Sequence, residues 1–410
     1  YYPDPQAEIV TRLPEGVELL LGFEMGGETV WQGRTIPVGE YSLSYAGPGK
    51  QFITTREAVR PLGIPVHAKI EINSTHELCS VPNLPVLSTL HSRFVAMSRL
   101  ETAGFLGVWT MGSRLTLNTA AMRLFMGDPE RFADEDVFLD ELARRYFGLT
   151  ATSSVISAWR GFSAAFNNYP FTVSVLYYGP HNDAPARRLS LRFEGKPIGR
   201  SWCADDPGDD LANALGPLFS DISSFTLEDV ISGFVRIRDG WDSALPDYEK
   251  ALANFADEPI SKINKRLSTA SPSTSGQVGD YGGLSRAQPH FEIGSDKKDV
   301  AEAQSRHRQE ELSAARMLAV QFRSIVNVFR FYSEQRRVIR ENGLTPPCTL
   351  PRDPKLLAIM RDEIENVTRA LPLVDADPRL GWHQDINGYK YNGALIRAKI
   401  AAMEAEIDKS

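Results

Sequence analysis

Apolar and polar positions alternate in short runs over residues 1–115 and shift to a spacing of three and four beyond them. "EGVELLLGFEM" (15–25) sets Leu19, Leu21 and Phe23 on one face, with Glu18, Leu20, Gly22 and Glu24 on the other, which predicts a strand. "GIPVHAKIEIN" (63–73) predicts a second, apolar at Val66, Ala68, Ile70 and Ile72 and polar at His67, Lys69, Glu71 and Asn73. "GFLGVWTMG" (104–112) predicts a third. Between them a short helical pattern covers 54–62, and Leu87, Leu90, Phe94, Met97 and Leu100 mark an amphipathic helix over 87–103. Strand, helix, strand at this spacing predicts βα units and a parallel sheet.

Residues 116–260 read as a helical region with a long loop excursion. "DEDVFLDELARRYFG" has an acidic first turn and ends at Gly148, and Val155, Ile156, Trp159, Phe162 and Phe166 share one helix face. Residues 171–225 are rich in Pro, Gly and Asp, and "TLEDVISGFVRIRDGW" reopens a helix with a T-x-x-D start. Residues 261–296 read as a flexible loop. Residues 297–410 read as a helical bundle: a long helix over 297–341 with Leu312, Ala315, Leu318, Phe322, Ile325, Phe329 and Tyr332 on one side, then helices over 355–371 and 393–408. The loop "DADPRLGWHQDINGYKYNG" between the last two returns towards the strands.

The polar faces of the first two strands change the picture. A strand of an open sheet covered on both sides is apolar on both faces. Two strands that turn carboxylates to one side instead predict the C-terminal part of a (β/α)₈ barrel, followed by a mainly helical domain. Barrel sites lie at the C-terminal strand ends, which selects Glu24, Glu71, Asn73 and, just beyond, His76 and Glu77. A buried Lys69–Glu71 ion pair that only fills the interior is the structural alternative.

Composition narrows the function classes. The chain has 410 residues, 42% hydrophobic and 24% charged, as soluble globular proteins do. A net charge of -7 with interleaved signs argues against nucleic acid as the main ligand. No apolar run is long enough to cross a bilayer. Cys79, Cys203 and Cys348 are far apart and fit a reducing cytoplasm. His76 and Glu77 are adjacent, not spaced i, i+4 as on a zincin helix, and no phosphate-cradling loop or nucleophile elbow is present, so neither a metal nor a cofactor is expected.

"VGEYSLSYAGPG" (38–49), "AKIEINSTHELCSVPNLPV" (68–86), "GVWTMGS" (107–113), "FNNYPFTVSVLYYGPHNDAP" (166–185) and "DPRLGWHQDINGYKYNGALIRAKI" (377–400) resemble the later part of the catalytic barrel, and the region after it, in a group of large bacterial glycoside-hydrolase-like proteins. The resemblance implies a carbohydrate substrate. It also implies acid–base chemistry by paired carboxylates, Glu77 and Glu71 first and Glu24 behind. His76 stands where the group's motif has an aromatic residue. Asn73 is expected to hold a sugar hydroxyl or a carboxylate, and Trp109 to offer a stacking platform. Tyr178, His181, Asn182 and Asp183 on one loop, and Trp382, His383, Tyr389 and Tyr391 on another, are further substrate-binding candidates. Only the last three of eight barrel strands are expected here, so a second polypeptide or a cleaved N-terminal portion is expected to complete the barrel. A compact domain with extra strands from 29–53 is the alternative. Two other functions stay open: a non-catalytic glycan-binding or scaffold subunit, and a metal-dependent lyase or isomerase on sugar acids.

Overall fold

A computed structural model of the protein describes residues 6–39, 41–107, 115–172, 175–176, 179–194, 226–253, 297–383 and 388–408. The chain opens with the short helix α1 (Gln6–Val10), then β1 (Leu19–Gly22), a hairpin of β2 (Gly27–Trp31) and β3 (Arg34–Val38), and α2 (Lys50–Val59). Next come β4 (Val66–Lys69), α3 (Leu87–Arg99) and β5 (Gly104–Leu106). Strands β1, β4 and β5 form a parallel sheet in that order, with Leu19 opposite Val66 and His67 opposite Gly104. From α4 (Leu117–Gly127) onward the described chain is mainly helical: α5 (Glu135–Phe147), α6 (Ser153–Phe166), then helices Leu227–Ala253, Lys297–Glu341, Pro354–Thr368, Leu371–Ala376 and Gly393–Ile407.

The fold corrects the barrel expectation. Three parallel strands of three or four residues are present, and the other described ladders are two-stranded and antiparallel. No eight-strand barrel pattern exists among the described residues. The reason lies in the residues just after β4. Alternation continues through Asn73, but the register ends at Lys69, Ile70 N makes the last bond to β5 at Leu106 O (2.9 Å), and the chain leaves the sheet from Glu71. The first strand likewise shrinks from 15–25 to Leu19–Gly22; of the third, Gly104–Leu106 is a strand and 108–112 lie outside the described residues. The stretch after β1 folds back as the antiparallel hairpin rather than as a βα loop. Without a barrel, the ground for a barrel-completing chain is gone as well.

The helices follow their apolar spacing closely. All seven apolar positions named on the long helix are buried, as are Val155, Trp159, Phe162 and Phe166 on α6. Trp241 joins the three central helices: it stacks on Phe162 at 4.0 Å, meets Phe322 edge-on at 5.2 Å, and donates its Nε1–H to Ala315 O at 3.0 Å. The last helix is held by a fully buried Lys399–Glu363 pair, in which Lys399 also donates to Ala184 O at 2.8 Å. Buried apolar side chains from Phe23 to Met403 form one connected cluster.

Two helix ends were legible in detail. Gly148 closes α5 at φ +70°, and Asp134 caps its start, accepting from Val137 N at 3.1 Å. The T-x-x-D start is a working capping box. Asp229 N donates to Thr226 Oγ1 at 3.1 Å and Thr226 N donates to Asp229 Oδ2 at 2.9 Å, while Arg34 of the hairpin reaches the same aspartate at 2.6 Å. Thr226→Ala is expected to cost about 1 kcal/mol, read as a lower urea midpoint with an unchanged slope.

Candidate functional site

The longest buried run among the described residues is a loop. Every residue from Ala68 to Leu87 is buried, yet only Val66–Lys69 and Leu87 onward belong to regular elements. A buried loop must find partners for its backbone groups away from the usual ladders. Side chains from several elements supply them. Asn118 Nδ2 at the start of α4 donates to Ile72 O at 2.7 Å and Leu84 O at 2.6 Å. Asn182 Oδ1 accepts from Cys79 N at 2.8 Å. Ser80 O receives Gly381 N and lies 2.8 Å from the Tyr391 hydroxyl, while Gln321 Nε2 donates to Ser80 Oγ at 2.6 Å. The loop also closes on itself, Leu84 N donating to Asn73 O at 2.7 Å.

Three glutamates enter this region. Glu77 is fully buried and accepts from the Ser42 hydroxyl at 2.7 Å, the Thr75 hydroxyl at 3.0 Å, the Leu43 amide at 2.5 Å and the hydroxyl and amide of Ser44. Burial raises its pKa, and those donors work against the rise. Glu24, just past β1, is fully buried against Arg93 of α3, with Nη1 3.0 Å from Oε1. Burial pushes its pKa up, Arg93 pulls it down, and the nearby Glu77 charge adds to the rise. Glu71 is 1% exposed, and its carbonyl accepts from the same guanidinium. Lys69 Nζ sits over the Tyr41 ring, 3.3 Å from its centroid.

The Ser42–Ser44 turn reaches Glu77 because the chain returns very closely to β1. Gly49 N donates to Phe23 O at 2.7 Å, and a Cβ at Gly49 would collide with the carbonyls of Glu24 and Met25. Gly47, at φ +78°, supplies the left-handed residue that the return needs.

Asn73 is fully buried, and its Oδ1 accepts the Thr116 hydroxyl at 2.6 Å; the same threonine caps α4. His76, His181 and His383 are buried; the His181 charge acts on His76, and those of His76 and His181 act on His383. Burial lowers His76 and His181 to about 4 and His383 to about 3, so all three are neutral at pH 7. The His181 Nε2–H donates to Leu176 O at 2.8 Å. Among the described residues no group of three or more His, Cys, Asp or Glu side chains is placed to hold a metal ion. No helix among them is long and apolar enough to cross a membrane.

The structure therefore brings Glu24, Glu71, Asn73, His76 and Glu77 into one buried region, and His181, Asn182, His383 and Tyr391 to its edge. Three sequence candidates stand elsewhere. Asp183 pairs with Arg187 four residues on, at 2.6 Å. Trp382 and Tyr389 face each other edge-on across their own two-residue hairpin at 5.0 Å, and the Tyr389 hydroxyl donates to Pro378 O. Trp109 and Tyr178 lie outside the described residues.

Sequence reasoning missed two residues here. Arg93 shares the apolar face of α3 with Leu90, Phe94 and Met97, and a cation on a core stripe is a readable signal. Glu311, on the long helix, accepts from Asn83 Nδ2 at 3.0 Å and Leu117 N at 3.4 Å, so it joins the buried loop to the start of α4. It is 3% exposed, and burial raises its pKa to about 7. Its signal was hidden in the charge run "RHRQEE". No family model, curated protein or solved structure matches the chain.

Proposed function

We propose that the buried 69–83 segment carries the acid–base site of a carbohydrate-processing enzyme of the glycoside-hydrolase type, working in a reducing cytoplasm. The observation that carries this reading is the burial of Glu24, Glu71 and Glu77 just past the carboxyl ends of β1 and β4, where Arg93 bonds both the Glu24 carboxylate and the Glu71 backbone carbonyl. Ionisable groups are costly to bury, and a site is a common reason to keep several together. Glu77 fits the anionic partner, as base or nucleophile, because its hydroxyl and amide donors favour the carboxylate. Glu71 or Glu24 supplies the second carboxyl, and Asn73 positions a hydroxyl. Arg93 is a positioning residue.

Glu77→Gln, Glu71→Gln and Glu24→Gln, each assayed on a panel of aryl glycosides, test the reading. Loss of an acid or base is expected to lower kcat by about 10²–10⁴-fold in at least one variant, with the circular dichroism spectrum unchanged. One observation favours a second reading, a non-catalytic glycan-binding or scaffold subunit: all three glutamates are at most 1% exposed, and Glu77 is saturated from within the protein. Turnover that none of the three substitutions alters sinks the enzymatic reading in favour of that one.

A further inference from the structure

The helices Leu227–Ala253 and Lys297–Glu341 face each other along matching stripes. Asp242, Leu245 and Glu249 recur at three and seven on the first, and Arg316, Ala319 and Arg323 do so on the second, with Val320 beside them. Each stripe reads charged, apolar, charged, and the helices run in opposite directions, so each end sets a carboxylate against a guanidinium. At one end the pair closes, with Arg316 Nε 2.7 Å from Glu249 Oε1. At the other end it does not. Asp242 and Arg323 make no hydrogen bond or ion pair among the described residues, although the Arg323 charge acts on Asp242.

The open end is more basic than the closed one. Arg369, at the C-cap of helix Pro354–Thr368, joins the rim, and Leu373 adds to the floor. Arg369 donates one N–H to Asn366 Oδ1 at 3.0 Å, and its remaining donors are not engaged among the described residues. The space between these side chains is about 420 Å³, floored by Leu245, Ala319, Val320 and Leu373. Two guanidiniums and one carboxylate line the open end, leaving an excess of positive charge above an apolar floor. Guanidiniums bind planar oxyanions through paired N–H donors, and concave sites of this size with a few convergent polar groups take small molecules.

We propose that this groove binds an organic oxyanion: a carboxylate or phosphate ester carried on a compact apolar body. Arg323 and Arg369 hold the oxyanion, and the body lies on Leu245, Ala319 and Leu373. Asp242 faces the same space and opposes the ligand's negative charge. The site shares no residue with the buried glutamate region, so it stands or falls separately from the proposed activity.

Calorimetric titration of the whole chain with phenyl phosphate and with benzoate tests the assignment, with inorganic phosphate and benzyl alcohol as head-only and body-only probes. At least one of the two aryl anions is expected to bind about tenfold more tightly than either fragment, and the better one identifies the head group. Arg323→Gln is expected to weaken that binding about tenfold, a change suited to a charge-assisted bond on a half-exposed side chain. Asp242→Asn is expected to tighten it, which a structural role for Asp242 does not produce. No saturable binding of either anion up to about 10 mM overturns the proposal, as does an Arg323→Gln variant that binds as well as the wild type.

Discussion

Arg93→Met is expected to cost about 3–5 kcal/mol of folding stability, enough to unfold a marginal domain. Arg93 is completely buried, and every edge of its guanidinium is used. Nη1 meets Glu24 at 3.0 Å and the Glu71 carbonyl; Nη2 donates to Tyr45 O at 2.7 Å and to Ser42 O; Nε donates to Ala46 O at 3.2 Å. One side chain thus fastens the end of β1, the Ser42–Ala46 turn and the buried loop to α3. Met keeps the volume but leaves Glu24 as an uncompensated buried charge and four carbonyls short of a donor. Glu24→Gln in the same chain removes the stranded charge, so the double variant is expected to regain part of the loss. Arg93→Lys is expected to fall between wild type and Met, since one ammonium cannot span the fork that these acceptors define. Urea unfolding of the four proteins reads the order directly. An Arg93→Met chain as stable as the wild type, or a double variant weaker than the single, overturns the account.

The same residue shows why part of the fold was legible and part was not. Where a helix buries one stripe, the spacing of apolar residues encodes the element, and the 297–341, 153–170 and 87–103 patterns found helices at Lys297–Glu341, Ser153–Phe166 and Leu87–Arg99. In "AKIEINSTHEL" the alternation encodes burial but not extension. Ile70 and Ile72 pack into the core while Glu71 and Asn73 are also buried, with Thr116 on the Asn73 side chain and Arg93 and Asn118 on the backbone carbonyls of Glu71 and Ile72, so both faces are covered without a barrel interior. Polar side chains on one strand face thus had a source other than a barrel lumen: a loop folded into the core and satisfied by side chains far away in sequence. Those partners, such as Gln321 and Tyr391 on Ser80, are set by tertiary contacts that no local pattern announces. The glutamate positions were readable because charged residues among apolar neighbours mark themselves. Asp183 and Tyr389 lie apart from the glutamates because a polar, aromatic loop also packs against itself.

Glu311→Gln is expected to make the protein more stable than the wild type above pH 7 and no more stable near pH 4.5. The sign comes from the direction of the shift. The carboxyl titrates near 4.5 when unfolded and at about 7 when folded, with burial the largest cause. Between those values the folded chain binds the extra proton, so stability is lost as pH rises from about 4.5 through 7 and is level above. A shift of that size corresponds to about 3 kcal/mol. Four neighbours modulate it: Asn83 Nδ2 and Leu117 N donate to Glu311, Arg379 favours its charge, and Glu310 opposes it. His76, His181, His307 and His383, all lowered by burial, act the other way and destabilise the fold as pH falls below their unfolded value near 6.5. They are shared by both chains and cancel in the difference. Urea unfolding of wild type and Glu311→Gln at pH 5, 6, 7 and 8 is therefore expected to give two curves that diverge with rising pH and run parallel above about 7. Parallel curves across the whole range would mean that Glu311 is ionised in the fold at pH 5, held by Asn83 and Arg379 against its burial. Divergence, by contrast, would identify it as a carboxylic acid kept largely protonated until near neutrality, close beside the loop that gathers the other three.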